Sequence, residues 1–195
     1  MSSARANRAS SPDLYSSLAS TLSSGCQALA VPADEHKQSL LLEYLDLLLL
    51  WNRSYNLTAV RDPLQGVTRH LLDSLSIAPF LVGERFIDVG TGAGLPGVPL
   101  AVLYPQREFH LLDSNGKKTR FLFQVKTALG LDNMVVHQAR VETFSAGRPF
   151  DAVLSRAFAS LGDMFRDCHH LLAPQGVCLA MKGACSDEEL QALFD

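Results

Sequence analysis

A glycine-rich segment containing one acid is the part of the sequence best suited to chemistry. Positions 86–97 read FIDVGTGAGLPG, in which an apolar run with Asp88 leads into four glycines within eight residues: Gly90, Gly92, Gly94 and Gly97. Glycine adopts left-handed and crowded backbone conformations that other residues resist, and the free N–H groups at a helix start attract a carboxylate or phosphate. The pattern predicts a strand, a tight turn and a helix N-terminus built around a nucleotide-like ligand. A glycine-rich surface turn is the alternative.

The same glycines fit two classes of ligand. Gly92, Gly94 and Gly97 satisfy the dinucleotide fingerprint G-x-G-x-x-G, whereas the order of Asp88 followed by G-x-G-x-G suits a ligand with an amino-acid end. A dehydrogenase is expected to need a further substrate domain, for which the nineteen residues after Gly176 leave no room. We therefore favour S-adenosylmethionine and methyl transfer, and we expect Asp88, Gly90, Gly92 and Gly94 to bind this cofactor.

An acid at the end of the next apolar run is the expected partner of a ribose. Asp113 lies nineteen residues beyond Gly94, where nucleotide-binding parallel sheets place a carboxylate that accepts hydrogen bonds from ribose hydroxyls. Adenosine is thus the expected body of the ligand. The alternative is a solvated Asp113 that begins a turn.

Composition limits the partners of such a site. A chain of 195 residues and 21.2 kDa is long enough for one α/β domain. Its net charge of -3 gives no overall attraction to nucleic acid, so RNA binding has to rest on a local basic patch. The four cysteines have no C-x-x-C spacing, which is typical of reduced thiols in a cytoplasmic protein. The apolar run Leu40 to Trp51 is too short to cross a bilayer, and neither a membrane nor a metal is expected as a partner.

Helical patterns precede strand patterns along the chain. Residues 1–33 are predicted to be a disordered or loosely structured tail, 34–82 an N-terminal helical segment packed on the core, and 83–195 the S-adenosylmethionine-binding core. The predicted strands of this core are Arg85–Val89, Glu108–Leu112, Met134–Gln138, Phe150–Leu154 and Gly176–Met181. Helical patterns alternate with them, which predicts a mostly parallel sheet with helices on both faces. Ligands of such sheets bind at the carboxyl ends of the strands.

Five blocks of this sequence resemble one known family. The blocks are WNRSYNLTAVRDP, RHLLDSL, FIDVGTGAGLPGVPLA, LLDSNGKKTRFL and LSRAFASL, and the match runs almost continuously from about Leu41 to Gly183. Together they resemble the bacterial ribosomal RNA small subunit methyltransferase G family, also called glucose-inhibited division protein B. The resemblance implies a Rossmann-like class I methyltransferase with an N-terminal helical extension. It also implies methylation of N7 of one guanine in the 530 loop of 16S ribosomal RNA.

The resemblance also implies which residues bind the cofactor. Its contacts fall on Gly90, Leu95, Val141, Glu142 and Arg156, and each of these positions matches the family. Guanine N7 carries no proton that must be removed, so no general base is expected.

No catalytic residue is certain from the sequence. The candidates are Arg140 and Arg156, which would offset the charge of a phosphate next to the target guanine.

Local positive charge is expected to bind the 16S ribosomal RNA or the small ribosomal subunit. The candidate RNA contacts are Arg53, Arg61, Arg69, His70, Lys117 and Lys182. Class I methyltransferases usually end their sheet with two further strands, and we expect these C-terminal strands to be missing from this chain. The protein is expected to be a monomer. The alternative function is a non-catalytic module that binds a nucleotide such as NAD and regulates other proteins.

Overall fold

Helices occupy the chain before the first strand. The computed structural model describes residues 12–158 and 160–191. Two long helices come first, α1 (Pro12–Ala28) and α2 (Glu35–Tyr55). A broken helical segment follows, made of α3 (Pro63–Gly66), a π-helical turn (Val67–Leu72), α4 (Asp73–Leu75) and a 3-10 turn (Ala78–Phe80).

Helix α1 contradicts the predicted tail over residues 1–33. Its apolar side chains Leu18, Leu22 and Cys26 recur every four residues and are buried. They form one stripe that packs into the larger hydrophobic core. The regular spacing of these apolar residues decides the structure of this segment. Residues 1–11 of that prediction lie outside the described residues.

Helix α2 is fixed at both ends by polar residues. The Asp34 carboxylate accepts a hydrogen bond from the Lys37 N–H at 2.9 Å, which caps the helix N-terminus. Asn56 ends the helix in the left-handed conformation with φ 50°. The following loop is tied back to the helix, because Asn52 and Thr58 exchange two hydrogen bonds of 2.9 Å. Helix α2 lies within the segment 34–82 that the sequence predicts to be helical.

Five strands form one parallel sheet with the order β3-β2-β1-β4-β5. Strand β1 pairs in parallel with both β2 and β4, so the winding direction reverses between β1 and β4. Such a reversal opens a crevice at the carboxyl ends of the strands. The predicted parallel sheet is confirmed, and β3 and β5 lie at its edges within the described residues. The strands are β1 (Arg85–Val89), β2 (Glu108–Asp113), β3 (Met134–Gln138), β4 (Phe150–Ser155) and β5 (Leu172–Ala180).

Helices cover both faces of the sheet. The larger core contains side chains of α1, α2, α5 and α6 packed on the sheet, and the smaller one lies under α7. Helix α6 ends at Gly130, whose left-handed φ of 64° closes the last turn. The helices after β1 are α5 (Gly97–Leu103), α6 (Gly116–Leu129), α7 (Leu161–Cys168) and α8 (Asp187–Gln191).

A polar network crosses the lower part of the sheet. His110 Nδ1 lies 2.8 Å from His137 Nε2, and His110 Nε2 lies 2.6 Å from Glu108 Oε1. The Arg85 guanidinium holds the other Glu108 oxygen at 3.1 Å. Burial lowers the pKa of His110 and lowers the pKa of His137 to about 4. Both rings are therefore neutral at neutral pH.

We expect His137 to make the fold sensitive to acid. Its pKa in the folded state lies below the ordinary 6.5, so the unfolded chain binds the extra proton in the window from 6.5 down to about 4. The free energy of unfolding then falls as the pH falls through this window. Because the ring is partly exposed, the loss is roughly 1 kcal/mol.

Urea unfolding at neutral pH and near pH 4 measures this loss. The variant His137→Gln is expected to lose less stability on acidification than the unaltered chain. Equal losses in the two proteins would assign the acid sensitivity to other groups.

Candidate functional site

An open cleft lies at the carboxyl ends of the strands. Its volume is about 270 Å³, and its walls come from the segments that follow β1, β2, β3 and β4. The cleft brings together five residues that the sequence predicted separately. These residues are Gly90, Asp113, Arg140, Val141 and Glu142.

The glycine loop after β1 forms one wall of the cleft. The N–H groups of Gly90 and Thr91 both donate to the Leu112 carbonyl, at 2.9 and 3.1 Å. Gly90 has φ 66°, and a Cβ built there would stand 2.6 Å from the Ala157 Cβ. Gly92 has φ 62°, and a Cβ there would meet nothing closer than a carbonyl oxygen at 3.9 Å. A side chain at Gly90 would thus clash with Ala157, whereas one at Gly92 would meet only an ordinary contact.

Asp113 links the glycine loop to the start of α6. Its Oδ2 accepts from the Gly92 N–H at 2.9 Å and pairs with Lys118 Nζ at 3.3 Å, and its Oδ1 accepts from the Asn115 N–H at 2.8 Å. The residue is only 6% exposed, and the exposed part lines the cleft. One carboxylate therefore orders two walls of the cleft.

Asp88 lies beneath the glycine loop and is 1% exposed. Its Oδ2 accepts from Thr91 Oγ1 at 2.7 Å and from the Gly97 N–H at 2.8 Å. Its Oδ1 is buried and has no hydrogen-bond partner among the described residues. Burial raises the pKa of Asp88 to about 7, although the two hydrogen bonds oppose this shift. Asp88 supports the loop from below, whereas the sequence predicted a direct contact with the cofactor.

Gly94 and Leu95 contact the core side of the loop. A Cβ on Gly94 would stand 2.5 Å from the Val98 side chain, and Leu95 is 8% exposed within the larger core. Neither residue is on the cleft wall. They shape the loop whose first residue, Gly90, lines the cleft.

The segment after β3 forms the opposite wall. Val141 and Glu142 lie in a 3-10 turn that ends at Thr143, and Val141 packs against the smaller core. Glu142 and Arg140 are exposed at the cleft. This wall offers one apolar side chain and two charged ones of opposite sign.

Four of the predicted RNA contacts are exposed on the surface. Arg53, Arg61, Arg69 and Lys117 have no ion-pair partner in the part of the chain that the structure describes. Their charges are therefore available to a negatively charged partner.

His70 and Lys182 depart from the predicted basic surface. His70 is 5% exposed, and its Nε2 lies 2.8 Å from Thr58 Oγ1. Burial lowers the pKa of His70, so the prediction of His70 as a charged surface contact is wrong. Lys182 Nζ lies 2.8 Å from Glu189 Oε1, which neutralises much of its charge. The sequence shows the type of these residues but not their burial or pairing.

Other site chemistry is limited within residues 12–158 and 160–191. No group of three or more His, Cys, Asp or Glu side chains there is placed to hold a metal ion. Among the same residues, no helix combines the length and apolar character needed to cross a bilayer. The four cysteines are free thiols.

The sequence matches one protein family over nearly all of this architecture. The profile described as rRNA small subunit methyltransferase G matches residues 37–194. The chain belongs to this family. The match begins inside α2, so α1 lies outside it.

Named members of the rRNA small subunit methyltransferase G family are close in sequence. The protein of Cellvibrio japonicus is 52% identical over 183 residues, which cover 91% of this chain and 84% of that protein. The protein of Escherichia fergusonii is 51% identical over 172 residues, covering 88% and 83%. The protein of Erwinia tasmaniensis is 56% identical over 161 residues, covering 83% and 78%.

A solved structure of low sequence identity shares the fold. The crystal structure of coclaurine N-methyltransferase bound to N-methylheliamine and SAH has a TM-score of 0.53 and 13% identity to this chain. The matched region covers 86% of this chain and 57% of the coclaurine N-methyltransferase chain. This likeness concerns the fold alone, and it agrees with the Rossmann-like class I methyltransferase fold expected for the family.

Three residues of the site were not assigned a role from the sequence. Lys118 lines the cleft beside Asp113. In the sequence, this lysine looks like an ordinary solvated charge five residues after Asp113. The Tyr44 hydroxyl is fully buried and donates to the Ala93 carbonyl in the glycine loop at 2.8 Å. A polar-tipped aromatic residue among the leucines of α2 was the available signal for Tyr44. Asp73, which pairs with Arg156, gave no signal.

Proposed function

We propose that this chain is an S-adenosylmethionine-dependent methyltransferase that methylates N7 of one guanine in the 530 loop of 16S ribosomal RNA. The observation that carries this proposal is the family match over residues 37–194, which spans every strand of the sheet. Relatives that are 51% and 56% identical are named for methylation of small subunit ribosomal RNA. The cleft at the strand ends supplies the ligand site that such an enzyme needs.

The residues of the cleft fit an adenosine with an amino-acid end. In this proposal Asp113 accepts hydrogen bonds from the ribose, and Val141 and Glu142 flank the adenine. The glycine loop receives the amino-acid part, because Gly90 lines the cleft and a Cβ on Gly92 would make only one contact, at 3.9 Å. When bound, S-adenosylmethionine supplies a methyl group on a positively charged sulfur, which accepts the electron pair of the broken carbon–sulfur bond.

Catalysis in this proposal depends on orientation. Guanine N7 is an exposed acceptor on the base edge and carries no proton, so the protein needs no general base. Holding the base in line with the methyl group contributes up to roughly 7 to 11 kcal/mol. Arg140 at the cleft and Arg156 after β4 are the candidates for offsetting the charge of a neighbouring phosphate.

The proposed substrate surface is a local one. Arg53, Arg61, Arg69 and Lys117 are exposed without ion-pair partners among the described residues, while the whole chain carries a net charge of -3. Such a distribution favours capture of a specific RNA surface over non-specific binding. We propose that the protein acts as a monomer on 16S ribosomal RNA or the small subunit, in the cytoplasm.

Mapping the modified nucleotide tests this function. The protein is incubated with S-adenosylmethionine and small ribosomal subunits that lack the modification, and the RNA is then analysed by mass spectrometry and by chemical cleavage at N7-methylguanine. We expect one N7-methylguanine in the 530 loop, and none without the methyl donor. Methylation of an exocyclic amine or a ring carbon would contradict the mechanism.

The alternative function, a non-catalytic NAD-binding module, is not favoured by any specific observation. The family and its named members are methyltransferases. Binding of NAD by the protein, together with no methyl transfer to RNA or subunits, would be the result that supports it.

A further inference from the structure

One ion pair connects the helical segment before the sheet with the ligand end of the sheet. Arg156 directly follows β4, and its Nη1 lies 3.2 Å from Asp73 Oδ2 in α4. The two side chains are 30% and 47% exposed. An ion pair of this exposure contributes little to stability.

Asp73 is held firmly in front of Arg156. It directly follows the π-helical turn Val67–Leu72, and π-helical turns are frequent at functional sites. On one side of that turn the His70 ring is bound to Thr58. On the other side Leu72 packs so closely on α1 that an added Cβ at Gly25 would overlap it. The backbone that carries Asp73 is thus held by contacts with two neighbouring segments.

Arg156 directly precedes Ala157, which lines the cleft and whose Cβ would stand 2.6 Å from a Cβ built on Gly90 of the glycine loop. Burial raises the pKa of Asp88 and of Tyr44, and the positive charge of Arg156 opposes both shifts. Asp88 binds the Gly97 N–H beneath this loop, and Tyr44 binds the Ala93 carbonyl within it. The chain at Arg156 therefore runs beside the glycine loop that receives an amino-acid end in the proposed function.

We propose that Asp73 is a positioning residue that holds Arg156 for the carboxylate of the methyl donor. Asp73 binds one terminal nitrogen of the guanidinium, and a guanidinium carries five N–H donors in a rigid fork. The donors that remain are then aimed at a second carboxylate, and charge-assisted bonds of this kind are the strong ones. The proposal rests on the proposed function, because it requires the donor to be S-adenosylmethionine.

The affinities of two ligands distinguish this positioning role from a purely structural role. S-adenosylhomocysteine contains the amino-acid carboxylate, whereas 5′-methylthioadenosine has the same adenosine part without it. By calorimetry we expect Asp73→Asn to bind S-adenosylhomocysteine about tenfold more weakly than the unaltered chain. Binding of 5′-methylthioadenosine is expected to stay unchanged, and Asp73→Glu is expected to recover part of the loss.

A matched control removes an ion pair elsewhere. Asp163 pairs with Arg166 on α7 at 2.7 Å, and Asp163→Asn is expected to leave the binding of both ligands unchanged. If Asp73→Asn binds S-adenosylhomocysteine as tightly as the unaltered chain, or loses equal affinity for both ligands, the proposed role of Asp73 is wrong. The proposed function would not be affected by either result. Failure of the unaltered chain to bind S-adenosylhomocysteine would instead contradict the proposed function as well.

Discussion

Replacement of Asp113 with alanine is expected to weaken the binding of S-adenosylhomocysteine at least about 100-fold, which corresponds to about 2.7 kcal/mol. The carboxylate is 6% exposed and accepts hydrogen bonds from the N–H groups of Gly92 and Asn115. Alanine removes the proposed ribose contact and also leaves these two donors without their acceptor. The glycine loop and the start of α6 then lose their common anchor. Isothermal calorimetry of the purified variant measures the loss.

Asp132→Ala is the control for this experiment. Asp132 is an exposed acid before β3, at the end of the sheet opposite the cleft. Its replacement is expected to leave the affinity unchanged. If Asp113→Ala loses less than about threefold in affinity, or about 0.7 kcal/mol, this carboxylate does not hold the ligand.

Gly90→Ala is expected to destabilise the fold and to disrupt the cleft together. Gly90 has φ 66°, which costs an alanine about 1 to 3 kcal/mol. The added Cβ would also stand 2.6 Å from the Ala157 Cβ, and such overpacking costs about 1 to 3 kcal/mol more. We expect the melting temperature to fall by roughly 10 °C. Thermal unfolding followed by circular dichroism checks this, and ligand calorimetry checks the cleft.

Two further variants separate the backbone cost from the steric cost. Gly130 has nearly the same φ, 64°, but a Cβ there would meet nothing within 4 Å, so Gly130→Ala reports the backbone cost alone. Adding Ala157→Gly to Gly90→Ala removes the steric contact and is expected to restore part of the stability. If Gly130→Ala destabilises the protein as much as Gly90→Ala, the contact with Ala157 contributes nothing.

The sheet could be predicted from local patterns because each strand is a short apolar run with a clear end. The bounds of β1 and β3 agree with the prediction. Strand β5 begins at Leu172 instead of Gly176, because its pairing with β4 is interrupted by a register shift between Phe150 and Ala152. Extra residues in one strand of a pair leave no periodic signal. The irregular start of β5 therefore could not be predicted from the pattern of apolar residues.

The candidate site was predictable where a residue follows a strand. Asp113 was found in this way, whereas Glu142 was implied by the family resemblance, and both line the cleft. The role of Asp73 depends on how α4 faces the end of β4, which is a long-range property that the local sequence does not contain. His70 was misassigned for a related reason, since burial under Thr58 is decided by the packing of the loop after α2.

The bond from the Tyr44 hydroxyl to the Ala93 carbonyl bears on how this enzyme family can be engineered. Because a helix of the extension holds the inner surface of the glycine loop, the extension and the Rossmann-like part are not interchangeable modules. A chimera that exchanges only the extension, in order to redirect the enzyme to another RNA, would also replace a support of the cofactor loop. The helical extension and the glycine loop of this chain are therefore structurally coupled.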